Sequence, residues 1–131
     1  MAPKELALEW INKAEEDFGF AVSNLAEPEM TYYAQICFHF QQAAEKYLKA
    51  FIVVHELEFK KIHDLPELLR ICINKDPQLT KLSEESEFLT DYYIETRYPV
   101  HWPASITRDD AEKAKQAVSK IRESIKKLIN I

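Results

Sequence analysis

Apolar residues recur every three or four positions along most of the chain, in segments separated by prolines and short polar breaks. From about Lys4 to Leu25, Leu6, Trp10, Ile11, Ala14, Phe18, Ala21, Val22 and Leu25 keep this spacing, with Glu9, Lys13, Glu16 and Asn24 between them. Positions three and four apart share a helix face, so the segment predicts one amphipathic helix. Pro28 ends it, because proline has no amide proton and disfavours helical geometry at the residue before it. A second segment, about Thr31 to Leu57, carries Tyr32, Tyr33, Phe38, Phe40, Tyr47 and Phe51 on more than one side. That distribution suits the middle of a bundle or a dimer interface, and it predicts the most buried helix.

Lys60–His63 reads as a loop, and Asp64-Leu65-Pro66-Glu67 as a helix start with Asp64 accepting from early amides and Glu67 in the capping-box position. Asp76-Pro77 closes this short helix. The helical pattern resumes from about Leu79 to Thr96 through Leu82, Phe88, Leu89, Tyr92, Tyr93 and Ile94, until Tyr98-Pro99 and Trp102-Pro103 break it. Thr107 with Asp110 three residues on predicts the cap of a last helix, whose stripe is Ala111, Ala114, Ala117, Val118, Ile121, Ile125, Leu128 and Ile129. The expected fold class is all-α, an up-and-down bundle of four to five helices with short loops, forming one domain over residues 1–131.

Composition agrees with long helices, since one glycine in 131 residues leaves little provision for tight turns. No apolar run approaches the roughly 18 residues of a membrane span, and Met1–Glu5 lacks the plan of a signal peptide, so the expected location is cytoplasmic and away from membranes. Cys37 and Cys72 sit among apolar neighbours and read as buried free thiols; no spacing suggests a metal, and no cofactor is expected. A formal charge of −5 argues against a surface that grips nucleic-acid phosphate everywhere. The last helix is nevertheless basic, with Arg108, Lys113, Lys115, Lys120, Arg122, Lys126 and Lys127, either as a patch for RNA or an acidic partner or as a solvated face.

Three segments together resemble the HEPN family. They are the run Phe38-His39-Phe40-Gln41-Gln42-Ala43-Ala44-Glu45-Lys46-Tyr47-Leu48-Lys49-Ala50, then His63-Asp64-Leu65, then Tyr92-Tyr93-Ile94-Glu95-Thr96-Arg97-Tyr98-Pro99. The resemblance implies a four- or five-helix bundle, commonly homodimeric, often encoded beside a minimal nucleotidyltransferase and acting with it in a toxin–antitoxin-like pair. Many members are metal-independent ribonucleases that use an Arg followed by four to six residues and a His, both subunits contributing to one cleft. Here Arg97 is followed by three residues, Pro99 among them, before His101.

Arg97 and His101 are the types such chemistry needs, a fixed cation on the phosphate and a base or acid near neutrality. Their other reading is an Arg97–carboxylate pair beside an exposed loop histidine. On the second segment, His39, Gln42, Lys46 and Lys49 share a face, which reads either as a groove for a nucleotide or RNA or as local hydrogen bonding that includes a Glu45–Lys49 pair. Tyr98 joins Tyr92, Tyr93 and Trp102 around Arg97, as base-stacking aromatics or as core and dimer interface. His63 and Asp64 have a simple explanation in the helix cap. The expected role is a homodimeric binding module that joins a minimal nucleotidyltransferase partner and takes a nucleotide or RNA, with a metal-independent endoribonuclease as the alternative. A third reading leaves the polar residues as parts of a helical scaffold only.

Overall fold

The structure, a computed structural model, describes residues 1–93 and 105–131. Among the described residues it is all-helical, with α1 Pro3–Leu25, α2 Tyr33–Val54, α3 Leu65–Lys75, α4 Ser83–Thr90 and α5 Arg108–Leu128. α1 lies along α2, which is the central element and also meets α3, α4 and α5. Its side chains form the core: Phe40, Tyr47, Leu48, Phe51 and Ile52 are fully enclosed. No helix among the described residues is long and apolar enough to cross a membrane.

The ends of the helices follow local chemistry. Thr107 and Asp110 complete the capping box of α5, each side chain receiving the other's backbone N–H. Asp64 accepts from the Glu67 N–H at the start of α3, but Glu67 does not return to the cap. Its carboxylate goes to Lys60 at 3.0 Å and Arg70 at 2.7 Å, partners with full charge that outcompete a neutral amide. α2 stops three residues before the expected Leu57, with Glu56 in the left-handed region at φ 53°. The Leu57 N–H then donates to the Ile52 carbonyl and closes the helix end.

The expected helix from Leu79 to Thr96 is divided. Pro77–Leu82 form a 3-10 helix and α4 begins at Ser83. Asp76 caps the tighter turn through the Gln78 N–H, while Thr80 and Ser83 donate hydroxyls to the Pro77 and Thr80 carbonyls, an alternative to regular α-helical bonding. Ile94, Glu95 and Thr96 lie outside the described residues.

Two polar joints lock the bundle. The Glu15 carboxylate on α1 accepts from Tyr47 Oη on α2 and from Arg122 Nε on α5 at 2.6 Å, and the Arg122 guanidinium also lies over Phe18. Arg122 holds the Glu15 carboxyl down at about 2, outweighing the effect of burial, with Tyr47 and Lys126 adding to it. Arg108 donates to the carbonyl of Leu25 at 3.0 Å, an acceptor that the end of α1 leaves open, and to that of Glu27 at 3.3 Å, which also accepts from the Met30 N–H. Both cysteines are buried and free, and burial pushes each thiol up to about 12.

Candidate functional site

The polar residues of α2 separate into two sets. His39 Nδ1 lies 3.0 Å from Asp17 Oδ1, and Lys46 Nζ donates to Asp17 Oδ2 at 2.5 Å. Burial would raise the Asp17 carboxyl, but hydrogen bonds from His39 and Lys46 outweigh it and hold the group below its ordinary value. Lys49 turns inward: it is 5% exposed and donates to Glu45 Oε2 at 2.7 Å. The local hydrogen-bonding reading of this stripe has the pair at the bundle edge; the structure forms the pair but puts it inside, with Lys49 Nζ 5.7 Å from the centroids of both Trp10 and Phe59.

Glu45 has a second task. Its other oxygen lies 2.9 Å from His63 Nδ1, so one carboxylate joins a buried ammonium to an imidazole whose side chain is 45% exposed. Gln41 Nε2 donates to the His63 carbonyl at 3.1 Å, and Gln42 Nε2 to Gln41 Oε1 at 2.8 Å. The glutamine pair thus fixes the backbone and Glu45 the ring. With Nδ1–H given to a carboxylate, Nε2 is an acceptor in the neutral ring and a donor in the imidazolium.

Around these two histidines runs a track of rings. Tyr93 stacks on His63 with centroids 4.0 Å apart and planes at 14°. Phe38 follows at 6.0 Å from Tyr93, His39 at 5.5 Å from Phe38, and Phe20 at 4.6 Å from His39. Phe20 is 52% exposed at the outer end, although a phenylalanine ordinarily gains about 1.5–3 kcal/mol from burial. At the other end a cleft of about 330 Å³ is lined by His63, Asp64, Thr90, Asp91 and Tyr93. Thr90 Oγ1 accepts from the Leu65 N–H and so ties α4 to the start of α3 beneath this cleft.

Of the residues expected to bind, the structure places His39 within the track with Lys46 beside it, Gln42 behind His63 through Gln41, and Lys49 in the interior. Arg97, Tyr98 and His101 lie outside the described residues, which resume at residue 105. Phe20 and Glu45 were not expected as site residues, and Tyr93, expected either as a base-stacking aromatic or as core and dimer interface, was not expected to stack on His63. The available signal was Glu45 itself, a carboxylate on the apolar face of α2 that needs more than one partner once buried. Among the described residues no group of three or more His, Cys, Asp or Glu side chains is arranged to hold a metal ion.

A HEPN domain family model matches residues 7–128, nearly the whole chain. The chain belongs to the HEPN family. Two solved structures share its fold. TT1696 from Thermus thermophilus superposes with a TM-score of 0.82 at 30% identity, over 92% of this chain and 96% of that one. ST0689, described as an archaeal HEPN homologue, gives 0.74 at 25% identity, over 94% and 97% of the two chains. No curated protein matches in sequence. In this HEPN chain the segments that carry the resemblance converge: the run Phe38–Ala50 supplies Glu45 and the glutamines, and His63-Asp64-Leu65 supplies the ring they hold.

Proposed function

We propose that this HEPN protein is a homodimeric, cytoplasmic binding module that takes RNA or a nucleotide along the Phe20–His39–Phe38–Tyr93–His63 track, without turnover of its own. The observation that carries this reading is the track: five rings at 4.0–6.0 Å steps, with a carboxylate behind each histidine and Lys46 beside the row. Aromatic faces accept any base, each stacked base contributing about 1–3 kcal/mol. Imidazoles held through Nδ1 present Nε2 to a base edge or a phosphate oxygen. Asp17 and Glu45 offset the nearby cations, which suits modest affinity set by stacking more than by charge. Fluorescence anisotropy with labelled single-stranded RNA tests the reading. Phe20→Ala, a change at an exposed site, is expected to weaken binding by about 5- to 150-fold, the loss of one stacked base; equal affinities for variant and wild type overturn it.

The finer role, acting with a minimal nucleotidyltransferase in a toxin–antitoxin-like pair, is supported by the family resemblance of the α2 run and of the two later segments. Co-expression with the nucleotidyltransferase of a neighbouring gene is expected to give a complex that survives purification, and failure to co-purify at any salt removes this part. The sequence Arg97-Tyr98-Pro99-Val100-His101 favours a second reading, a metal-independent endoribonuclease across the dimer cleft. It requires RNA cleavage in EDTA that both Arg97→Ala and His101→Ala abolish.

A further inference from the structure

We infer that the N-terminal half of α1, with the end of α2, forms a docking groove for a protein partner, and that its occupant is an amphipathic helix with an apolar face and basic flanks. This goes beyond the nucleotide reading and does not rest on it. Two hollows of about 560 and 440 Å³ share Leu6 and Trp10 in their walls, and the second continues over Val53, Leu57 and Phe59 at the end of α2. Trp10 and Phe59 pack at 5.8 Å and form an aromatic floor. Met1, Leu6 and Phe59 stay 78%, 37% and 40% exposed around it. Apolar surface of this kind, gathered in one concavity, marks an interaction site more than a scattering of single residues does.

The rim chooses the partner. Among the described residues, the side chains that line the two hollows include the carboxylates of Glu9, Glu16 and Glu56 and the ammonium of Lys13, which is paired with Glu16 at 3.5 Å; the Lys49 ammonium near the ring floor is paired with Glu45, so the rim is net acidic. Glu56 occupies a left-handed backbone position at φ 53°, where glycine or asparagine closes a helix more cheaply by about 1–2 kcal/mol. A carboxylate is kept at the groove at the expense of the fold. An identical groove from a second copy would set these carboxylates against themselves, and anionic lipid would meet the same repulsion. The basic helix of a second copy, α5, has no apolar face to give, since Ala111, Val118, Ile121 and Ile125 are already buried.

The test uses the full chain with Trp102→Phe, which leaves Trp10 as the one tryptophan. A short Leu/Lys amphipathic peptide and its Leu/Glu counterpart are titrated in about 0.15 M salt, where long-range attraction is screened. The Leu/Lys peptide is expected to shift Trp10 emission saturably while the Leu/Glu peptide does not. Leu6→Gln is expected to weaken binding about tenfold through lost apolar contact. Glu56→Gly is expected to weaken it severalfold while raising the unfolding midpoint, a pair of opposite effects that misfolding cannot produce. The proposal is overturned if neither peptide binds, if both bind alike, or if the two variants bind as wild type does. It is equally overturned if sedimentation shows self-association that Leu6→Gln abolishes, because the groove is then an interface between copies.

Discussion

Glu15 shows how much one side chain does in this bundle, since it is the common acceptor for Tyr47 of α2 and for Arg122 and Lys126 of α5. Removing its charge leaves Arg122 and Tyr47 short of an acceptor. Glu15→Gln is therefore expected to cost about 1.5–3 kcal/mol in urea unfolding, the range for hydrogen bonds to charged groups. The pH dependence follows from the lowered carboxyl, at about 2 in the folded chain against an ordinary 4.5. Such a group contributes stability that is fully present above 4.5 and is lost as pH falls toward 2, because the unfolded chain takes up its proton first. Asp17, also lowered, acts in the same direction. Wild type is expected to lose stability on acidification through this window and Glu15→Gln to lose less of it. Parallel pH curves for the two proteins would contradict the assignment.

At the scale of elements, the helices were legible because apolar spacing reports neighbours within four residues on one helix. The capping box at Thr107 and the cap at Asp64 were legible for the same reason, as partners three residues apart. Contacts across the fold leave no such periodic trace. Arg108 reaching the carbonyl of Leu25 and His63 finding Glu45 are decided by packing, not by spacing. The candidate site was legible only in part for this reason. His39 and Lys46 stand out as polar residues on a helix of aromatics, whereas Phe20 looks like one more apolar position of α1. The Arg108 joint gives a prediction at this scale. Arg108→Ala leaves the Leu25 carbonyl at the end of α1 without its donor and is expected to cost about 1–2 kcal/mol, with amide exchange accelerating at Ala26 and Glu27, just past the helix end, before α1 itself. Uniform exchange rates along α1 would count against it.

The molecule as a whole carries a charge of −5, yet α5 is its most basic helix, and Lys113 and Lys127 on it are exposed. Two candidate surfaces for nucleic acid therefore involve different residues of one HEPN fold. Electrostatic attraction would gather RNA on α5, with a steep dependence on salt. Stacking would gather it at the ends of α1 and α4 and the start of α3, where the carboxylate-held histidines are. The two predict different residues in the same experiment. An NMR titration of the labelled protein with a short single-stranded RNA, followed at the aromatic rings and lysine side chains, separates them most directly. Stacking on the track predicts saturable shifts at Phe20, His39, His63 and Tyr93, with the lysines of α5 nearly silent; shifts centred on those lysines, with the four rings unmoved, would contradict it.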